Sequence, residues 1–433
     1  MGTSRQIHAQ FWKNAQLGSG RAFLIFREHK NIDFTRGIIL LCLKNYGYDP
    51  QCEGDRSEYA MQFVRELSEE QRALVFETLK QHLEKDEITD DWDFIHFCHT
   101  AVKIAHEFEP MFGEILRKRF DECDEQTLYD AFPSSAIIKL DGFDGMVRVA
   151  RKFGRSFKSH DDWYEDDYYM LCVPKMKSED VQSKLVEFSK SDDDIRTYLD
   201  RIEECKKESE ERKAEQKKNE PENNFECVKK YFYSERGIVP RRYAKNLTID
   251  EAKYFADEMT KVKTQKELTK YLRLFSSVPY PYNADDLISL FSKNKNSYFN
   301  NYLVDVLSYF ASPEIRRLAE RALISDEYSP FYLALLKKNY REGDGAKIAR
   351  KLKSIKNFED AHYDVIDVTK IYEENVTPDC IEPLTVFYER TKCGLCRTWA
   401  AELMEKAGVL PQNIREELPF DSATLNYDNE QQE

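Results

Sequence analysis

The chain has 433 residues, 41% hydrophobic and 33% charged, with a formal net charge of −14. Gly 15 and Pro 14 amount to about half the ordinary share of roughly 12%, which excludes a many-stranded β protein, a collagen-like chain and a low-complexity linker. The negative balance disfavours long-range steering to nucleic acid or to an anionic membrane surface, and the length allows two or three domains of ~150 residues.

The opening stretch, MGTSRQIHAQFWKN, has no apolar core of the kind a secretory signal needs. The longest apolar run, Ile38 to Leu43, falls far short of the ~20 residues that span a bilayer. Ten cysteines lie scattered, mostly inside apolar helical stretches. A cytoplasmic protein with reduced thiols is the expectation. After Tyr48-Asp49-Pro50 a short loop gathers Asp49, Gln51, Glu53, Asp55 and Arg56. Polar loop residues on rigid helices often bind. The same residues also suit a turn whose carboxylates cap backbone amides.

Ser68 and Gln71 form a capping box ahead of Ala73, Leu74, Phe76 and Leu79, which predicts a helix there. Further amphipathic helices are expected over 94–108 and 111–120. The first carries His96, Cys98, His99 and His106. His96 and His99 share a face, but His106 lies two turns on, too far along the axis to join them at one ion. Partly buried structural histidines are therefore favoured over zinc. Irregular pieces follow: Asp141 to Gly145, then the acidic aromatic run DDWYEDDYY at 161–169. That run lacks the spacing and central glycine of a calcium loop. Trp163 and Tyr164 among the acids could instead anchor a basic partner peptide, or the run could be a plain surface insertion.

The sharpest break is 201–222, where 15 of 22 residues are charged, 7 basic and 8 acidic. It reads as a solvated helix or a tether, and divides an irregular helical domain at 1–200 from a more regular one at 223–433. Net charge is −12 over 1–222 and −2 over 223–433. In the second half Thr248 with Glu251 is a capping box, and Ser312-Pro313, Ser329-Pro330 and Thr377-Pro378 each place a hydroxyl at N-cap and Pro at the first helical position. Short helices joined by short turns give antiparallel pairs, and stacked pairs make a solenoid. The densest basic stretch runs from Lys337 to Lys356. Ile348, Ala349, Leu352 and Ile355 mark the buried face of its helix, 346–357, so Lys347, Arg350 and Lys351 are expected on the exposed side. Such a face could meet phosphates or an acidic protein, or simply be solvated. Cys393-Gly-Leu-Cys396 opens a further predicted helix, where helix amides could stabilise a thiolate. A thioredoxin-like site would want a βαβ pattern, and structural zinc would want four ligands. Close helix packing around small side chains is the favoured account of the pair, with Cys380 and His362 the nearest extra ligand candidates. No Gly-rich phosphate loop, H-E-x-x-H or G-x-S-x-G motif is present, and no residue is assigned to catalysis, to a cofactor or to a metal.

The stretch FNNYLVDVLSYFASPEIRRLAERALISD at 299–326 resembles a HEAT repeat, with its first helix ending at Phe310 and a turn at Ala311-Ser312-Pro313. FYLALLKKNYREGDG at 331–345 looks like the next repeat helix and its exit turn. LTVFYERTKCGLCRTWAAELMEKAGVLPQNIREELPFDS at 384–422 and KNYGYDPQCEGDRSEY at 44–59 resemble the two ends of a group of uncharacterised bacterial HEAT-repeat proteins. The resemblance implies an all-α, HEAT-like solenoid. HEAT arrays generally act as protein-binding scaffolds, and one bacterial branch binds DNA as alkylpurine glycosylases, whose catalytic motif has no residue-by-residue match here. The expectation is thus a non-enzymatic scaffold that binds a protein on its concave face, without cofactor or membrane. The alternative is a nucleic-acid-associated protein using the basic C-terminal patch. A thiol or metal protein built on Cys393 and Cys396 is a third reading.

Overall fold

The structure, a computed structural model, describes residues 3–89, 91–218, 224–291, 298–325 and 328–425. Among these residues every regular element is a helix, and no helix is long and apolar enough to cross a membrane. The chain divides into two units: Met1–Lys218 with Lys392–Leu395 and Arg415–Glu433, and Asn219–Thr391 with Cys396–Ile414.

The first unit holds α1 (Ser4–Leu17), α2 (Gly20–Glu28), α3 (Thr35–Leu43), the single turn α4 (Pro50–Glu53), α5 (Ser57–Arg65), α6 (Glu69–Lys85), α7 (Trp92–Glu107), α8 (Met111–Glu122), α9 (Glu125–Asp130), α10 (Ser134–Asp141), α11 (Phe143–Phe157), the single turn α12 (Tyr168–Leu171), α13 (Ser178–Ser189) and α14 (Asp193–Lys218). The capping box at Ser68 and Gln71 opens α6 as its sequence predicts, and Asp91 starts α7 by accepting the Phe94 amide at 2.7 Å. Aromatic side chains dominate the core at the N-terminal end. Phe11 meets Phe34 at 4.4 Å and Phe23 meets Phe63 edge-on at 5.3 Å between ring centroids, each ring contributing about 1.5–3 kcal/mol through burial. Residues 415–425 belong to this unit: the Ser422 amide donates to Gly18 O at 2.9 Å, and the Phe420 ring lies 4.9 Å from that of Phe23.

The irregular piece expected at 141–145 is a one-residue corner. Gly142 joins α10 to α11 at φ 61°, a left-handed conformation that other residues seldom adopt. Past the corner α11 runs very close to α14: a Cβ built on Gly154 would lie 1.8 Å from Asp194 O. Gly154→Ala should force these helices apart and destabilise the unit by about 1–3 kcal/mol, read as faster amide hydrogen exchange in α11 and α14.

The charged segment 201–222 is helical as far as Lys218, as the C-terminal part of α14. Its first turns are not a tether, because Ile202 and Cys205 are buried. Residues 219–222, and with them the expected boundary at 222/223, lie outside the described residues.

The second unit comprises α15 (Phe225–Phe232), α16 (Arg241–Ala244), α17 (Ile249–Met259), α18 (Gln265–Phe275), α19 (Asp285–Ile288), α20 (Tyr298–Leu307), α21 (Pro313–Ile324), α22 (Asp344–Ser354), α23 (His362–Val365), α24 (Asp367–Glu374), α25 (Ile381–Arg390) and most of α26 (Gly394–Lys406), and α27 (Gln412–Glu417) follows across the boundary. Thr248 and Glu251 make the predicted capping box, and Ser312 caps α21 with Pro313 in its first turn. The other two Ser/Thr-Pro starts open 3₁₀ helices, Pro330–Leu336 and Pro378–Cys380. The first replaces the α-helix expected from 331. Tyr332 to Leu336 are all buried, so packing on every side outweighs the weaker hydrogen-bond geometry of the tighter helix. Asn339 secures the chain beyond it, accepting the Ser312 amide at 3.0 Å and donating to Phe310 O at 2.8 Å and Leu335 O at 2.9 Å.

Candidate functional site

The loop before α5 is bound by its own chain. Asp49 accepts the Gln51 and Cys52 amides at 3.2 and 3.3 Å. Glu53 turns inward and accepts the Tyr48 and Asp49 amides at 2.9 Å, the Gly394 amide at 2.8 Å and Arg56 Nη2 at 3.1 Å. Burial alone would raise the Glu53 carboxyl, but the Arg56 charge and these amides outweigh it and hold it below its ordinary range. Arg56, only 3% exposed, also donates to Gln16 O and Lys392 O. Glu53 and Arg56 thus form an internal clasp of the loop, with their side chains turned away from solvent, and the partly exposed Asp49 caps a helix.

The histidines of α7 separate by partner. His96 is buried, accepts the Arg56 amide on Nδ1 at 3.2 Å and gives Nε2–H to Leu41 O at 2.8 Å. Burial pushes its imidazole below the ordinary range. His106 serves Leu140 O at 2.9 Å. His99 lies between two side chains from other elements: Nδ1 is 2.8 Å from Asp55 Oδ2 and Nε2 is 3.2 Å from Ser135 Oγ. For Asp55, too, burial opposes ionisation, yet the neighbouring His99 imidazole and its hydrogen bond hold the carboxyl well below the usual range.

In the acidic aromatic run the acids do not converge. Trp163 stacks on Tyr129 at 4.3 Å and on His160 at 4.0 Å, and Arg201 Nε donates to its carbonyl at 2.6 Å. Trp163 is thus spent in packing, whereas Tyr164 remains exposed. Glu165 turns inward, 7% exposed, and burial raises its carboxyl to about 8.

The basic stretch of the second unit is largely paired. Lys351 is buried and donates to Ser325 O at 2.7 Å and Tyr328 O at 3.1 Å, which corrects its expected place on the exposed face. Lys347 lies 3.4 Å from Asp344, Lys337 3.2 Å from Asp367 and Lys353 2.8 Å from Glu382, while Arg350 is exposed. Cys396 is buried in α26, its sulfur 3.6 Å from His362 Nε2. Cys393, also buried, precedes the helix.

Sequence reading missed a groove of 760 Å³ between α8, α10 and α11 in the first unit. Arg148, Arg151, Lys152 and Arg155 stand along it at i, i+3, i+4 and i+7, one face of α11. Each is held: Arg148 by Asp121 at 3.6 Å, Arg151 by Asp192 at 2.6 Å, Arg155 by Asp194 at 2.7 Å, and Lys152 by the carbonyls of Asp121 and Cys123 at 3.1 and 2.9 Å. Across the groove Arg117 grips Asp141 through two nitrogens, at 2.6 and 2.9 Å. The face is legible as spacing in VRVARKFGR, but the acidic average of this half conceals it. No protein-family model, curated protein or solved structure matches this chain.

Proposed function

We propose that the chain is a HEAT-like protein-binding scaffold and that the groove along α11 receives a polypeptide segment carrying both signs of charge. The observation that carries this reading is the pairing on the groove wall. Its cations already face carboxylates or carbonyls, and acids stand among them. A polyphosphate would have to displace those acids or leave them facing its own charge, whereas a mixed-charge peptide can exchange one ion pair for another. The same pairing in the second unit, with Lys351 buried, weakens the nucleic-acid alternative. Binding here needs no covalent step.

The test is a pull-down from host lysate with the wild-type chain and with Arg148→Glu/Arg151→Glu, each with and without nuclease. A discrete protein that survives nuclease and is reduced at least tenfold by the double charge reversal is the expected result. Partners lost on nuclease treatment, or binding that falls log-linearly and steeply with salt as phosphate contacts demand, would overturn it.

A further inference from the structure

Asp55, His99 and Ser135 come from three separate elements: the loop before α5, the middle of α7 and the first turn of α10. They meet in the order carboxylate, imidazole, hydroxyl, at 2.8 and 3.2 Å. Asp55 is fixed on its other oxygen, where Oδ1 accepts the Ser57 amide at 2.8 Å. An ionised carboxylate accepts only, so Nδ1 carries the proton and the lone pair of Nε2 faces the Ser135 hydroxyl. That is the tautomer a general base needs. Ser135 is the second residue of the eight-residue α10, where the positive end of the helix dipole favours negative charge developing on its oxygen. Ser135 is 8% exposed, and its neighbour α12 presents Tyr168 and Leu171, exposed by 56% and 64%. Exposed apolar side chains on an element packed against α10 suit an apolar acyl group better than a charged one.

We propose that Ser135, His99 and Asp55 form a nucleophilic serine site that cleaves esters or thioesters of apolar acyl groups, an activity separate from the groove. The Ser135 oxygen attacks the acyl carbon and its proton passes to His99 Nε2. The tetrahedral adduct collapses, the bond to the leaving oxygen or sulfur breaks, and His99 returns the proton to that atom. Water, deprotonated by His99, then attacks the acyl-serine and releases the carboxylic acid and free Ser135. Ser135 and His99 touch the reacting atoms, and Asp55 is a positioning residue.

The full-length chain is incubated with excess ethyl fluorophosphonate, whose phosphorus is attacked by the serine oxygen as fluoride leaves, and the adduct is mapped by peptide mass spectrometry. A single adduct on Ser135 is expected, absent in Ser135→Ala and formed at least 100-fold more slowly in His99→Asn. Asp55→Asn should slow it at least tenfold, with recovery in Asp55→Glu. No adduct on the folded wild-type chain, or an adduct on a different residue, overturns the proposal, and that arm requires no variant to fold.

Discussion

Asp344→Ala is expected to destabilise the second unit by about 3–5 kcal/mol, the range seen when one partner of a buried ion pair is removed. Asp344 and Arg316 are 1% and 5% exposed. Arg316 reaches Asp344 through both terminal nitrogens, with Nη2 to Oδ1 at 2.7 Å, while Nη1 also donates to Asn339 O at 2.9 Å and Nε to Glu320 at 2.9 Å. Asp344 accepts the Arg341 amide at 2.9 Å and opens α22. Without Asp344 the guanidinium stays desolvated, with one half-exposed carboxylate for compensation. The double variant Arg316→Met/Asp344→Ala should recover a good part of the loss, since no stranded charge remains. Amide hydrogen exchange over α21 and α22 reads both changes, and equal losses in the single and double variants would contradict the account. Burial raises the Asp344 carboxyl, but the Arg316 hydrogen bonds and the Arg341 amide outweigh it, and the net direction is downward. The pair's contribution is therefore present in full above the ordinary carboxyl value and is lost as pH falls from there through the lowered one.

Glu165 works in the opposite sense. Its carboxyl ionises near 4.5 in an unfolded chain and at about 8 in the folded one, burial being the main cause and the Asp166 charge an addition. A raised acid is neutral in the fold at neutral pH. It costs nothing below the unfolded value, and the penalty grows as pH rises from there until it is complete above about 8. Its full size is of the order of 4–5 kcal/mol. Glu165→Gln keeps the shape and cannot ionise. The variant should match wild type near pH 4.5 and exceed it increasingly up to pH 9, measured as the difference in urea midpoints at each pH. Parallel curves would show that Glu165 is solvated in the folded chain.

Local signals are legible in this sequence, and signals that join distant positions are not. The capping residues Ser68, Thr248 and Ser312 begin helices where their chemistry places them, because a cap is decided within four residues. The pairs at Ser329 and Thr377 carry the same local signal and open 3₁₀ turns, because a proline start does not specify how tightly the next turn winds. Asp55 and His99 both stood out, but in separate clusters, and Ser135 carried no signal at all. Their spacings of 44 and 36 residues mean that only helix packing brings them together. Lys351 differs from its expected place because a charge next to the apolar face of Ile348, Ala349, Leu352 and Ile355 can still be buried. Its aliphatic stem follows the buried face, and its ammonium finds two carbonyls there.

The return of residues 415–425 to the first unit bears on how the chain is made. Gly18 and Phe23 precede the second unit in the chain, but their partners Ser422 and Phe420 follow only after the whole of Asn219–Thr391 has been synthesised. Until then the Phe23 ring lacks its Phe420 neighbour, and closing contacts between positions so far apart slows folding. A chain that stopped before Phe420 would leave the Phe23 ring without that neighbour and the Gly18 carbonyl without the Ser422 amide.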